Sequence, residues 1–370
     1  MTAAFPLIEV AGPPEARGRQ YGRQAAERIH KGIGHYTAQL QALELDRASL
    51  AAVVRDYLPV MEKFDAAHVA EMCGIAAGAD VPFDDVVLLN ARTEILKLAA
   101  SPALRERLIG AGELDGCTGV IVLPQAAAGG VLVHAQNWDW KYECAETAVV
   151  LRIRRDDGPD ILTFTEAGAL GRSGLNAAGI GLTANFLESS LDYQRVGVPL
   201  PLIRRKILEQ EHLALAMRAA YVTPKSGSNN MMISHRGGVA LNFECAPDET
   251  FLVRDEDGLL VHANHWLSPV ALGKLKDAGI ASTPDTLYRD MRVKALLRPH
   301  LGRIGVAEVK AALLDDYASP WSVCRPPRMN LASNLSATVA TVVLRPADAE
   351  MEVAALPAVD PTFTTYGFAD

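Results

Sequence analysis

The hydrophobic pattern of this chain changes its period at residue 117. Over 19–45, 48–61, 65–78 and 84–99, apolar positions recur every three or four residues, which predicts helices. Asp46 and Asp80 lie in the breaks between these runs, and Pro82 helps set the start of the last. From Cys117 onward, β-branched residues gather in short segments divided by turn residues. Segments 117–123 and 131–139, joined by the turn from Pro124 to Gly130, predict a hairpin. Further strands are expected at 147–153, 160–166, 180–186, 229–234, 239–245, 259–264, 337–345 and 350–355. Helices return at about 200–220 and 285–300, led by prolines, with a shorter one at 306–316. Helix blocks alternating with hairpin-linked, mostly antiparallel strands predict sheets covered by helices, a layered α+β fold. Residues 101–116, with three glycines and a proline, read as an accessible connection.

Composition narrows the function. The net charge of −8 argues against nucleic-acid binding, which needs a basic face for phosphates. No apolar run approaches the roughly 20 residues that span a bilayer, and the N-terminus lacks a basic signal region. Five scattered cysteines, at 73, 117, 144, 245 and 324, form no C-x-x-C pair, so neither a disulfide framework nor a zinc site is expected. A cytoplasmic protein with reduced thiols follows as the expectation. No phosphate loop or dinucleotide signature calls for a cofactor. The expected partner is a small molecule, with homo-oligomer formation left open.

The junction between the two halves carries chemistry. Residues 115–118 read Asp-Gly-Cys-Thr, and 136–139 read Gln-Asn-Trp-Asp. A thiol at Cys117 can attack the carbonyl of Gly116, which has no Cβ to obstruct it. Acyl transfer from nitrogen to sulfur, then hydrolysis, would leave Cys117 with a free α-amine. An α-amine ordinarily titrates near pH 7.7–8, so it can take the thiol proton near neutrality. Nucleophile and base are then one residue. In an antiparallel hairpin the start of the first strand lies beside the end of the second, which puts Asp139 near Cys117. Thr118 can hydrogen-bond in the same cluster. Asn264, in His-Ala-Asn-His-Trp at 262–266, is a candidate donor to the oxyanion.

These motifs resemble the acyl-coenzyme A:isopenicillin N acyltransferase family, a peptidase family of N-terminal nucleophile hydrolases. Asn176-Ala-Ala-Gly-Ile-Gly-Leu-Thr, Ala263-Asn-His-Trp and the stretch from Ala16 to Gly22 extend the resemblance from about residue 10 to about 355. It implies a four-layer αββα sandwich with a helical N-terminal segment. It further implies Cys117 as nucleophile and new N-terminus, Gly116 before the cut, Asp139 as the acid of Asn-Trp-Asp and Asn264 at the oxyanion. A late arginine is implied as well, with Arg325 the counterpart and Arg328 its rival. On this reading 1–116 is an α-subunit-like segment and 117–370 the catalytic β-subunit. The two stay associated as one domain. The activity implied is hydrolysis or formation of an N-acyl amide through a Cys117 thioester.

Other readings stand beside this one. A non-processed, non-catalytic binding relative would keep the scaffold. A papain-like hydrolase would need a separate histidine, for which His134 is the candidate. His262 and His265 resemble half a metal site but lack a third ligand nearby, so no metal is expected. Trp138, Trp140 and Trp266 fit an acyl pocket or the core. The other four cysteines read as buried small apolar residues.

Overall fold

The structure is a computed structural model that describes residues 4–42, 44–99, 116–330 and 334–369. Asp115 and nearly all of the connection expected at 101–116 lie outside the described residues. In chain order, β1 (Leu7–Ala11) precedes four helices, α1 (Pro14–Gln24), α2 (Ala26–Ala42), α3 (Arg47–Ala79) and α4 (Phe83–Ala99). Then come β2 (Cys117–Val122), β3 (Val133–Lys141), β4 (Ala148–Arg154), β5 (Ile161–Glu166), β6 (Ser173–Asn176) and β7 (Ile180–Phe186). Helices α5 (Leu200–Leu208) and α6 (Leu213–Val222) lead into β8 (Asn229–His235), β9 (Val239–Cys245), β10 (Thr250–Val253) and β11 (Leu259–His262). The short α7 (Pro269–Leu272), α8 (Thr286–Leu297) and α9 (Val306–Leu313) follow. The last strands are β12 (Arg328–Met329), β13 (Leu335–Arg345), β14 (Glu350–Ala355) and β15 (Phe363–Gly367).

The strands form two sheets. One runs β1-β4-β5-β6-β7-β8-β9-β10, the other β11-β2-β3-β13-β14-β15, with β12 on β13. Period-2 alternation makes each sheet two-faced. On β4, Val149, Leu151 and Ile153 join the core shared with α1–α6, while Ala148 and Val150 join the core between the sheets. On β13, Val342 and Leu344 face the first sheet, and Val343 packs with Val293, Leu297 and Val309 of α8 and α9. The order of layers is therefore helices, sheet, sheet, helices, the αββα sandwich expected.

Several boundaries differ from the sequence expectations. The helical run expected over 19–45 breaks at Ala25 and begins earlier, at Pro14. Runs 48–61 and 65–78 are continuous in α3 but interrupted at Asp65, whose backbone is extended (φ −162°, ψ 103°). Segment 200–220 is two helices, α5 and α6. Strands β1, β6, β10, β12 and β15 were not expected; each has six residues or fewer, too short for period 2 to stand out. The glycines of the Ala16–Gly22 motif have a packing role. A Cβ on Gly18 would lie 2.1 Å from the Glu71 carbonyl oxygen, and one on Gly22 2.3 Å from that of Ile75, so α1 and α3 touch backbone to backbone.

Candidate active site

β2 and β3 pair antiparallel, with Cys117 opposite Trp138 and Thr118 opposite Asn137. The hairpin expected from the sequence therefore delivers Asp139 to the junction. Its backbone N–H donates to the Gly116 carbonyl oxygen at 2.8 Å. The Cys117 N–H donates to Asn264 Oδ1 at 2.7 Å. Both ends of the 116–117 peptide group are thus held by fixed partners. The Cys117 side chain is buried, and its Sγ lies 3.7 Å from Arg172 Nη2. Burial pushes the thiol up; the Arg172 cation opposes that, while the Asp139 charge adds to it.

Asn264 lies two residues beyond β11. Its Nδ2 donates to the Phe186 carbonyl at 2.8 Å, and its backbone N–H to Thr286 Oγ1 at 2.7 Å. These contacts fix the amide with its oxygen toward Cys117. An amide nitrogen carries two hydrogens, so one remains after the bond to Phe186.

The Asp139 carboxylate is buried. Thr338 Oγ1 donates to its Oδ1 at 2.6 Å, and Arg325 Nε lies 3.4 Å from Oδ2. The register of β13 against β3 slips between Thr338 and Ala340, an irregularity that re-aims Thr338. Thr338 also accepts from the Arg325 backbone N–H at 2.8 Å. Of the two late arginines, Arg325 meets Asp139, whereas the Arg328 guanidinium lies 3.9 Å over the Trp321 ring.

Three functional candidates escaped the sequence reading. The first is Arg289 on α8, which is fully buried. Its Nη1 donates to the Cys117 carbonyl at 2.8 Å and to Thr118 Oγ1 at 2.9 Å, and its Nη2 donates to Asn264 Oδ1 at 2.9 Å. Its Nε donates to Asp285, which also pairs with Arg325. Burial opposes ionisation of Asp285, yet the Arg289 and Arg325 charges hold its carboxyl below the usual range. The second is Arg172, whose guanidinium stacks 4.2 Å over Trp138. The third is Arg204 on α5, which shares a cavity of about 60 Å³ with Cys117, Trp138, Asp139, Trp140 and Arg172. The i,i+4 spacing of Asp285 and Arg289 at a helix start was the available signal for Arg289.

Other sequence candidates lie apart from this cluster. His134 is opposite Ile121 in the β2–β3 ladder, and its ring nitrogens meet Ser234 Oγ and Thr183 Oγ1, each at 2.8 Å. Burial pushes it down to about 3, so it is a neutral residue between the sheets. His262 Nε2 meets Glu244 Oε1 at 2.9 Å, and His265 Nδ1 meets Thr286 Oγ1 at 3.0 Å. Trp138 and Trp140 line the cavity, whereas Trp266 packs on Phe251 in a separate cluster.

An αββα sandwich with a nucleophilic side chain at the head of an inner strand is the architecture of N-terminal nucleophile hydrolases. Two variants of the conjugated bile acid hydrolase of Clostridium perfringens share the fold. Each has a TM-score of 0.50 and 13% identity over 68% of this chain and 92% of theirs. Residues 127–355 match the family described as acyl-coenzyme A:6-aminopenicillanic acid acyl-transferase, and the chain belongs to that family. The matched span contains Asp139, Asn264 and Arg325 and begins after Cys117. The chain is 29% identical over 324 residues to the 40 kDa form of acyl-coenzyme A:6-aminopenicillanic-acid-acyltransferase of Emericella nidulans. That covers 86% of this chain and 84% of the relative. The protein is accordingly an enzyme acting on amide bonds. Among the described residues, no helix is long and apolar enough to cross a membrane.

Proposed function

We propose that the chain cuts its own Gly116–Cys117 bond and then acts as a cysteine amidohydrolase on small N-acyl amides. The observation that carries this reading is the two-ended grip on the 116–117 peptide group, Asp139 N–H on its oxygen and Asn264 Oδ1 on its N–H. In the self-cleavage, Cys117 Sγ attacks the Gly116 carbonyl carbon and the Asp139 N–H stabilises the oxyanion. The C–N bond breaks as the thiol proton passes to nitrogen. Water then hydrolyses the thioester, leaving a Gly116 carboxylate and a free Cys117 amine.

In turnover the amine takes the thiol proton and the thiolate attacks the substrate carbonyl. The remaining N–H of Asn264 Nδ2 serves the new oxyanion. The proton goes to the leaving amine, and water attacks the acyl thioester to release the acid and restore the thiol. An amine that competed with water for the same thioester would make the site an acyltransferase. Asn264 Oδ1 orients the Cys117 amine. Arg325 and Thr338 hold Asp139, and Thr118 helps seat Arg289. Fragments 1–116 and 117–370 stay together because they share a core. Glu71 of the first also meets Arg205 of the second at 2.8 Å.

A mass spectrum of the purified protein tests the proposal. The expected species are 1–116 and 117–370, the second beginning Cys-Thr-Gly-Val, and a single intact chain for Cys117→Ala. Cleavage persisting in Cys117→Ala would refute it. A wild-type chain that stays intact and leaves Cys117 unlabelled by a thiol-reactive acyl probe would favour the binding relative.

A further inference from the structure

Asp285 stands at the N-cap of α8, where a carboxylate ordinarily accepts from the first backbone N–H groups of the helix. Its side chain makes no such bond. The residue is buried, and among the described residues its Oδ1 has no hydrogen-bond partner. Its Oδ2 takes two arginines instead. Arg289 Nε donates to it at 2.8 Å from the same helix, and Arg325 Nη2 pairs with the same oxygen from the segment before β12. Leaving a buried carboxylate oxygen unserved is costly, so capping alone does not account for an aspartate here.

Each of these arginines leads to one half of the grip on the junction. Arg289 Nη2 donates at 2.9 Å to Asn264 Oδ1, the oxygen that also accepts from the Cys117 N–H, and its Nη1 donates to the Cys117 carbonyl at 2.8 Å. Arg325 Nε lies 3.4 Å from Asp139 Oδ2, and the Asp139 N–H holds the Gly116 carbonyl. Asn264, Arg289, Asp285, Arg325 and Asp139 thus form a buried polar chain that begins and ends at the 116–117 bond. Its two arginines and two aspartates cancel in charge. Among the described residues, Asp285 is the one carboxylate that Arg289 meets. Without it, two arginines would stand against Asp139 alone, and the two arms would have no common anchor.

We propose that Asp285 is a positioning residue that fixes the two arms relative to one another and balances the charge around Cys117. The inference rests on the reading of Cys117 as the nucleophile. One oxygen shared by two guanidiniums sets their separation, so a shift in either arm is felt by the other. The other charges that act on the thiol are Arg172, which opposes the effect of its burial, and Asp139, which adds to it. Both are kept in the variants below. A merely structural aspartate, present to neutralise buried arginines for the fold, would change stability without a signed effect on the thiol.

The test follows alkylation of Cys117 by iodoacetamide against pH, read by peptide mapping, in Asp285→Asn, Arg289→Gln and the double variant. Midpoints are compared among chains of one processing state, assigned by mass spectrometry. Removing the carboxylate should move the midpoint down, and removing the arginine should move it up. The double variant, in which Arg325 and Asp139 still cancel, should fall between the two. Self-cleavage of Asp285→Asn should slow by about tenfold or more. Asp285→Glu, which keeps the charge at a different reach, should hold the wild-type midpoint and cleave more slowly. Coincident midpoints in the three variants, or cleavage of Asp285→Asn at the wild-type rate, overturns the inference. If Asp285→Asn does not fold, the double variant against Arg289→Gln makes the same comparison: a lower midpoint in the double supports the inference and an equal one overturns it. If the wild type stays intact, the self-cleavage reading fails, and the order of midpoints alone decides the role of Asp285.

Discussion

Gly116→Ala is the sharpest single test of the cleavage geometry. A Cβ at residue 116 would lie 2.5 Å from Arg289 Nη2, 2.8 Å from Asn264 Oδ1 and 2.9 Å from Arg289 Cζ. Ordinary contacts begin at about 3.5 Å, so something must yield by roughly 1 Å. Arg289 cannot swing away cheaply, because Cys117 O, Thr118 Oγ1, Asn264 Oδ1 and Asp285 all hold its guanidinium. The displacement therefore falls on the 116–117 peptide group and on its grip by Asn264. A misplacement of about 1 Å between reacting groups costs on the order of a hundredfold in rate. Self-cleavage of Gly116→Ala should slow by about that factor, followed as loss of the intact chain over time by gel and mass spectrometry. Cleavage at the wild-type rate would refute the argument that Arg289 and Asn264 position this bond.

Other outcomes follow from the same geometry. Replacing Arg172 with Met removes the cation beside the thiol, so the pH midpoint for Cys117 alkylation by iodoacetamide should move upward. Arg289→Gln removes a positive charge that shares Asn264 Oδ1 with the Cys117 nitrogen. The freed amine then holds its proton to higher pH, and the acid limb of the rate profile of the cleaved enzyme should shift upward. Glu71→Gln leaves Arg17 buried without its carboxylate and Arg205 with Glu209 alone, and should destabilise the fold by about 3–5 kcal/mol, read by urea unfolding. His134, held down to about 3, stays neutral in the fold, whereas in the unfolded chain it takes a proton below about 6.5. Stability should therefore fall as pH drops between those values, and His134→Gln should flatten that slope.

The sequence was informative where the site is local. Twenty-odd residues separate Cys117 from Asp139, and a hairpin register is a short-range property, so their meeting could be read from alternation and a turn. The two-sheet sandwich was also legible, because runs such as 147–153 and 337–345 carry strong β-branched patterns. The cationic half of the site was not. Arg172 follows a Gly-rich turn, Arg204 sits on α5 and Arg289 on α8, and each resembles an ordinary solvent-facing arginine in sequence. What brings them to Cys117 is tertiary arrangement alone: Arg172 and Arg204 share its cavity, and Arg289 reaches its carbonyl from α8. Arg325 could be singled out only through the family resemblance, since the segment around it lacks periodicity.

The position of β2 has one more consequence. Chain ends usually fray, because nothing holds the terminal residue on one side. β2 is hydrogen-bonded to β11 along one edge and to β3 along the other, with Gly119 opposite His262 and Cys117 opposite Trp138. A terminus made at Cys117 would therefore begin paired with Trp138 on β3 and held by Asn264, two residues before β11 takes up the other edge. It would gain the charge state of a chain end while keeping the order of an interior residue.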